Sequence, residues 1–422
     1  MNDRAQEFSY HVLPSRLTGE VRISGAKNSV LRLLAASLLT SDSVHLLNYP
    51  GGLLDAQVHV EMLTVLGKRC SVMKDTILIE EQHEPSPVLH WQGRSIRNTL
   101  LILGVLTARI GRGKVPLPGG CNLGERKYDL HQMLLERLGA IVWEEDGFLC
   151  AAAPPQGLRG ADIHLPLRST GATENAILCG TLAKGVTRVW NPHIRPEILD
   201  LIRCLRSMGA KIEVYGQERI DITGREELTG TRYRILPDNM EALTWLVAAV
   251  VTGGAIEIHD FPYSALEVPL IHLRESGARF FRGEDSLIVR GGRCYPIEIS
   301  TGAYPGINSD MQPLLAVYGA FAHGQSVIVD LRFPGRYGYA EELAKMGLCY
   351  QIDGNLLRIQ GGAPLHGAEV RALDLRAGIA LTLAGLAASE GETVITNAWQ
   401  VERGYNHFVE KLRRLGGTIS YV

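Results

Sequence analysis

Two hydrophobic rhythms alternate along this chain. Runs with apolar residues at helical spacing, such as LHQMLLERLG and AEELAKMG, give way to period-two runs such as AKIEVYG and TISYV. A period near 3.6 marks one buried face of a helix, and a period of two marks a strand. The junction carries a glycine each time: Leu66-Gly67, Leu138-Gly139, Met208-Gly209, Ser276-Gly277, Met346-Gly347 and Leu415-Gly416. Glycine there suits a left-handed helix C-cap, after which a strand begins. The six glycines are 72, 70, 68, 70 and 69 residues apart. A second series of helices keeps step with them: AKNSVLRLLAASLL, IRNTLLILGVLTARI, TGATENAILCGTLA, NMEALTWLVAAVV, DMQPLLAVYGAFA and LRAGIALTLAGLAA. Most of these meet a Gly near their end and lead into β-rich runs such as GQSVIVDL. Each unit therefore reads as helix, strand, helix and strand pair. Six of them nearly fill the 422 residues, which is the signature of internal repetition.

Six units divide as three plus three, with the second break at LPDNMEALT from Leu236. The predicted domains are residues 27–236 and residues 1–26 plus 237–422. The N-terminal run YHVLPSRLTGEVRIS is left over, and it is expected to complete a sheet in the second domain as the chain crosses twice between the two. A cleft between two repeat-built domains is the expected place for a site.

Composition narrows the classes. Hydrophobic content of 45%, charged content of 21% and a net charge of −2 are ordinary for a globular enzyme. They give no reason to expect nucleic acid or an anionic membrane as partner. The apolar helices fall short of about 18 uninterrupted apolar residues, so buried core helices are expected rather than membrane spans. The segment MNDRAQEFSYHVL carries acids and has no apolar stretch, which speaks against a signal peptide. The seven cysteines are scattered without CxxC spacing, so reduced thiols, a cytoplasmic location and no metal site are expected.

Charged residues recur at the mouths of the apolar helices. Lys27 and Asn28 follow the turn Ser24-Gly25-Ala26, Arg97 and Asn98 open the second helix, and Arg376 opens the sixth. A cation beside the free N–H groups of a helix start makes an anion site. Asp310 stands at the same place in the fifth helix, where an ordinary N-terminal cap is the bland reading. The Gly- and Pro-rich segment GRGKVPLPGGCNLGERKYDLH is predicted to be a loop without regular structure, a lid bearing Cys121 near Lys114, Arg126 and Lys127. A thiol in electropositive surroundings is reactive, and a proton donor's role fits it better than acyl transfer.

SGAKN, PGGCxxGxRxxDLH, SxGATEN, YPxxxxDMQ, DLRA and ERGYxxxxxKLRxLG stand here in the order and spacing of the bacterial UDP-N-acetylglucosamine enolpyruvyl (1-carboxyvinyl) transferases. The resemblance covers essentially the whole chain. It implies an inside-out α/β barrel of two domains, each with three βαβαββ-type repeats around a pseudo-threefold axis. It also implies a transfer from phosphoenolpyruvate to an acceptor hydroxyl by addition and elimination, with no cofactor. By the resemblance, Lys27, Arg126 and Arg403 bind phosphoenolpyruvate, with Arg336 and Arg376 near the same anion. Cys121 matches the general acid that fosfomycin alkylates, and Asp310 matches the group that takes the proton of the acceptor's 3′-hydroxyl. Asn28, Arg97, the run Arg126, Lys127, Tyr128, Asp129 and Leu130, and the run Leu167, Arg168, Ser169 and Thr170 match acceptor positions.

The chain departs from that family mainly on the acceptor side. Lys127-Tyr128 replaces a Pro-Val pair, Arg332 an aliphatic contact, and Leu167 a lysine that here has Arg168 beside it. Phe333-Pro334-Gly335-Arg336-Tyr337-Gly338-Tyr339 replaces FENRFMH, and Gln400 replaces a histidine. Two readings stand. One is drift within the peptidoglycan-precursor enzyme that uses UDP-N-acetylglucosamine. The other is a paralogue using UMP or another uridine nucleotide, as in nucleoside-antibiotic biosynthesis, with the added bases facing a terminal phosphate.

Overall fold

The computed structural model describes residues 8–94, 96–117 and 128–422. It is a mixed α/β structure that divides into two compact units, Gly25–Leu236 and Met1–Ser24 with Pro237–Val422. Each has its own hydrophobic core. Cys121, Arg126 and Lys127 lie outside the described residues.

The sheets repeat one plan. In the third repeat, Asp162–His164 pairs in parallel with Val186–Trp190, which pairs antiparallel with Arg219–Thr223, which in turn pairs with Lys211–Tyr215. The helices Thr170–Gly180 and Pro196–Ser207 connect these strands. The spatial order is thus first strand, second, fourth, third. Glu298–Ser300, Gln325–Val329, Leu356–Gln360 and Cys349–Asp353 follow the same order in the fifth repeat. Among the described residues of the second repeat three strands pair, Arg112–Pro116, Phe148–Ala152 and Ile141–Glu145. An isolated parallel bridge from Val88 to Lys114 stands in for the missing first strand.

The N-terminal run forms two strands, not one. Tyr10–Leu13 sits between Thr393–Thr396 and Thr418–Tyr421 and completes the last repeat's sheet. Thr18–Arg22 pairs in parallel with Ala255–His259, although it stands in sequence just before the helix Lys27–Ala36. Thr231–Arg234 does the reverse. It precedes the helix Asn239–Val251 in sequence but pairs with Val44–Leu47 of the first repeat.

All six junction glycines take positive φ: 108° at Gly67, 94° at Gly139, 95° at Gly209, 89° at Gly277, 102° at Gly347 and 87° at Gly416. After five of them the next amide returns to the last turn of the helix, as in Ala140 to Leu135 O at 2.9 Å and Ala210 to Leu205 O at 2.9 Å. That is the helix-closing motif the left-handed residue permits. A Cβ there would meet its own backbone, so glycine is favoured at every repeat.

The apolar helices are buried on all sides, which accounts for their membrane-like composition. In Asn239–Val251 every residue through Val250 is buried. Among the described residues no helix is long and apolar enough to cross a membrane. Close approach of two such helices explains Gly104, where a Cβ would lie 1.9 Å from Asn175 Oδ1.

Candidate active site

The mouths of these helices gather the polar groups. In residues 25–236, Lys27 opens its helix directly after the uncapped Ala26. Its ammonium lies 2.9 Å from the buried Asp55 carboxylate. Asn28 beside it is half-buried, as is Arg97 two residues before the helix Thr99–Ile110. Behind these mouths two of the braces are neutral. Asn98 donates to Leu31 O at 2.7 Å and meets His59 Nδ1 at 3.1 Å. One repeat later, Asn175 donates to Leu100 O at 3.2 Å and meets His131 Nδ1 at 3.1 Å.

Burial, helped by the nearby Arg32 charge, pushes the His59 imidazole down to about 3. Burial and Arg97 push His131 down to about 4. Both rings are therefore neutral near pH 7, and each accepts at Nδ1 from an asparagine amide.

The SxGATEN run divides its work. Ser169 caps its helix by accepting from the Ala172 amide at 3.3 Å. Thr170 reaches His193 Nδ1 at 2.8 Å, and Arg168 reaches Asn191 Oδ1 at 3.4 Å. Glu174 is buried and accepts from Arg32 Nε at 2.6 Å, so it braces the core. Tyr128 precedes the helix Asp129–Arg137, and Leu130 packs on the core.

In the other unit the site residues carry charge against charge. Asp310 does not cap its helix. Asn308 does, accepting from the Asp310 amide at 3.1 Å, so the Asp310 side chain is available for other contacts. Arg336 Nη1 donates to Asp310 Oδ1 at 2.9 Å and Nη2 to Asp374 Oδ2 at 3.1 Å. Arg376 Nε lies 3.5 Å from Asp310 Oδ2. Burial alone would weaken the hold of Arg336 on its proton, but Asp310 and Asp374 outweigh it and raise its pKa. Arg376 is only 3% exposed. It lies over Tyr405, whose hydroxyl it approaches at 3.4 Å, and its Nε has no hydrogen-bond partner among the described residues. Arg403 donates to Gln400 Oε1 at 3.1 Å and lies over Trp399.

Arg332 is exposed, with its guanidinium over the Phe333 ring at 5.7 Å. Neither Arg332 nor Arg168 forms an ion pair among the described residues. Asp310, Arg336 and Arg376 thus come together as one cluster.

Three things differ from the sequence reading. Arg112–Pro116 of the glycine-rich segment is a strand, not loop, because Gly113 and Val115 face inward in a pleat that Pro116 merely ends. Lys114 on that strand pairs with Glu145 at 3.1 Å, so its charge is already matched. The partners Asp55 and Asp374 were not singled out. Asp374 stood in plain view as the first residue of DLRA, where it caps its helix through the Arg376 and Ala377 amides at 2.7 and 2.8 Å. Asp55 had no spacing signal. Among the described residues no group of His, Cys, Asp or Glu is arranged to hold a metal.

Comparison with known proteins gives the family. The family of EPSP synthase (3-phosphoshikimate 1-carboxyvinyltransferase) matches residues 13–412. The UDP-N-acetylglucosamine 1-carboxyvinyltransferase of Zymomonas mobilis is 39% identical over 416 residues, covering 96% of this chain and 97% of that protein. A second enzyme of that activity, from Carboxydothermus hydrogenoformans, is 39% identical over 411 residues with the same coverage. The solved structure of the enolpyruvyl transferase NikO from Streptomyces tendae superposes with a TM-score of 0.89 at 28% identity, covering 99% of each chain. EPSP synthase from Acinetobacter baumannii shares the fold, with a TM-score of 0.77 at 21% identity over 98% of this chain and all of that one. A family match over residues 13–412 and relatives 39% identical along nearly the whole chain show that it belongs to the enolpyruvyl (1-carboxyvinyl) transferase family and is a transferase.

Proposed function

We propose that this protein moves the enolpyruvyl group of phosphoenolpyruvate to the 3′-hydroxyl of a uridine nucleotide and releases phosphate. The observation that carries the reading is the Asp310 carboxylate held by Arg336 at 2.9 Å and approached by Arg376 at 3.5 Å. A base and two guanidiniums sit together there, as required when a hydroxyl must lose its proton beside a bound anion. In this reading Asp310 takes the proton of the acceptor hydroxyl as its oxygen attacks C2 of phosphoenolpyruvate. Cys121 delivers a proton to the methylene carbon. Loss of a proton from the resulting methyl group and cleavage of the C2–O bond to phosphate then restore the enol ether. Lys27, Arg126, Arg336, Arg376 and Arg403 neutralise the phosphate and carboxylate. Asn28, Arg97, Lys127, Tyr128, Asp129, Leu130, Arg168, Ser169, Thr170 and Arg332 hold the acceptor. The finer architecture we assign is the inside-out α/β barrel, with residues 27–236 and 1–26 plus 237–422 as its three-repeat domains.

UDP-N-acetylglucosamine is the acceptor that the similarity to the carboxyvinyltransferases favours, with peptidoglycan precursor synthesis as the setting. One observation favours a second reading. Arg332 and Arg168 lack an ion-pair partner among the described residues; Arg332 departs from the family, and Arg168 stands beside the departure at Leu167. Two such bases suit a terminal phosphate, as on UMP. Phosphate release from phosphoenolpyruvate with UDP-N-acetylglucosamine, UMP, uridine and shikimate 3-phosphate separates the readings. Turnover with shikimate 3-phosphate alone, or with none of the four, defeats the assignment to a uridine nucleotide.

A further inference from the structure

The repeats contain their own control. The strand after the first helix of a repeat is followed by Asn48, Asn191, Asp260, Asp330 or Asn397 in five repeats, and by Leu117 in the sixth. Four of these short polar residues take left-handed backbone, with φ of 57° at Asn48, 56° at Asn191, 57° at Asp260 and 60° at Asn397. Asn and Asp tolerate that region because their side chains bond locally. The three asparagines then clip the end of the neighbouring parallel strand. They donate to Ile235 O at 3.3 Å, Leu165 O at 2.9 Å and Ala372 O at 2.7 Å. One neutral hydrogen bond is enough for that structural task.

Asp330 breaks the pattern twice. Its φ is not positive, and its side chain is wholly buried and accepts five hydrogen bonds. Oδ1 takes Thr301 Oγ1 at 2.8 Å and the Arg332 and Phe333 amides at 2.9 Å each. Oδ2 takes Ser309 Oγ at 2.6 Å and Gln312 Nε2 at 3.2 Å. Thr301 alone repeats the strand clip of the sister positions. The other four donors lie in two places that matter for chemistry. Arg332 and Phe333 begin the turn that carries Arg336, and Ser309 is the neighbour of Asp310. Gln312 ties the two together, since the same Nε2 also donates to Arg336 O at 3.0 Å.

Burial favours the protonated carboxyl, but the donations from Ser309, the Phe333 amide, Thr301 and Gln312 outweigh it and hold Asp330 below its ordinary pKa. Only an ionised carboxylate supplies this many acceptor sites without a donor of its own. A buried charge is tolerated because all five donors point at it.

We propose that Asp330 is a positioning residue for the transfer, fixing the turn that bears Arg332 and Arg336 against the helix mouth that bears Asp310. This rests on the functional reading given above.

The test compares Asp330→Asn with its sister control Asn48→Ala in the full chain. Phosphate release is followed with phosphoenolpyruvate and whichever of UDP-N-acetylglucosamine or UMP the parent uses. The Asp330→Asn side chain would turn an NH2 group toward Ser309 and Gln312, loosening the turn. The expected result is a fall of about 100-fold in kcat/KM per folded molecule, the size seen when a reacting group is misplaced by about 1 Å, with KM for phosphoenolpyruvate raised. Asn48→Ala should lower the melting temperature and leave KM and kcat per folded molecule unchanged. Should Asp330→Asn fail to fold, Ser309→Ala removes one donor, and its KM for phosphoenolpyruvate should rise about fivefold, the worth of one hydrogen bond. A purely structural role lowers only the amount of folded enzyme. A folded Asp330→Asn with KM and kcat like the parent's overturns the proposal, as does an unmoved KM in Ser309→Ala where Asp330→Asn does not fold. A parent that releases no phosphate with either uridine nucleotide sinks the functional reading and this inference with it.

Discussion

The two units build their helix mouths on the same backbone plan, and among the described residues only 25–236 add neutral asparagine–histidine braces to their ion pairs. In residues 25–236 the partners of the helix-mouth asparagines are neutral, His59 for Asn98 and His131 for Asn175, with the ion pairs Lys27–Asp55 and Arg32–Glu174 beside them. In the other unit the braces are charges. Asp374 holds Arg336, Arg336 holds Asp310, and Glu241 pairs with Lys411. The difference teaches that the repeat transmits backbone geometry but not function. A helix start presents N–H groups in every repeat, and whether a side chain caps them, as Ser169 and Asp374 do, and what else is hung beside them is decided repeat by repeat. It also divides the response to solution conditions. Permanent ion pairs change little between about pH 5 and 8, whereas a buried neutral imidazole is vulnerable as acid is added.

The sharpest way to break the comparison is to neutralise the charged side. Asp310→Asn keeps the shape and should lower kcat by roughly a thousandfold, the range of a lost general base, in a phosphate-release assay at saturating substrates. A loss below about tenfold would return Asp310 to a structural partner of Arg336.

On the other side, Lys27→Arg keeps the charge opposite Asp55 but replaces a compact ammonium with a planar fork. It should cut kcat/KM for phosphoenolpyruvate by about a hundredfold while the melting temperature hardly moves. An unchanged KM for phosphoenolpyruvate would remove Lys27 from the anion site.

Arg332→Val tests a charge that has no ion-pair partner among the described residues. We expect a loss of roughly tenfold to a hundredfold, on the order of one charge-assisted contact, in kcat/KM for the true acceptor, with little change for phosphoenolpyruvate. If the acceptor proves to be UDP-N-acetylglucosamine and the variant behaves as the parent, the altered-acceptor reading falls.

The smallest effect concerns pH. His59 and His131 have folded pKa values of about 3 and about 4, below the ordinary 6.5, so the unfolded chain binds their protons first. Their contribution to stability is complete above about pH 6.5 and is lost as pH falls toward those values, by about 1.4 kcal/mol per pH unit for each ring. Hydrogen exchange at about pH 7 and pH 5 should therefore show protection falling further in residues 25–236 than in 237–422. His59→Asn, which retains an acceptor near Nδ1, should flatten the dependence. Equal losses in both units would show that the neutral braces are not what sets the acid response.

Local rules made part of this readable in advance. The junction glycines could be placed because a helix C-cap is decided within a few residues, and all six adopt the left-handed backbone it requires. The apolar helices were legible because burial on every side leaves its mark on composition. Lys27, Arg336, Arg376 and Asp310 could be named from motifs, but not their partners. Arg336 meets Asp310 and Asp374 across 26 and 38 residues of sequence, and no periodicity reports a contact made over such a separation. The strand Arg112–Pro116 was missed because its glycine and proline signal a loop locally, while its pairing with Phe148–Ala152 lies elsewhere in the chain.

The N-terminal run shows the same division. In the sequence it reads as a single spare strand, yet it forms Tyr10–Leu13, which joins the last repeat, and Thr18–Arg22, which joins the fourth. Asp330 is the clearest case. Its place at a strand end recurs with Asn48, Asn191, Asp260 and Asn397 and is visible in the sequence. That it is buried and gathers five donors, where three of its sisters each donate a single clip, was decided only when Thr301, Ser309 and Gln312 were brought around it. Element type and repeat length follow from forces between neighbours in the chain. Charge pairing, burial and sheet membership depend on which distant groups the fold sets at hydrogen-bond distance.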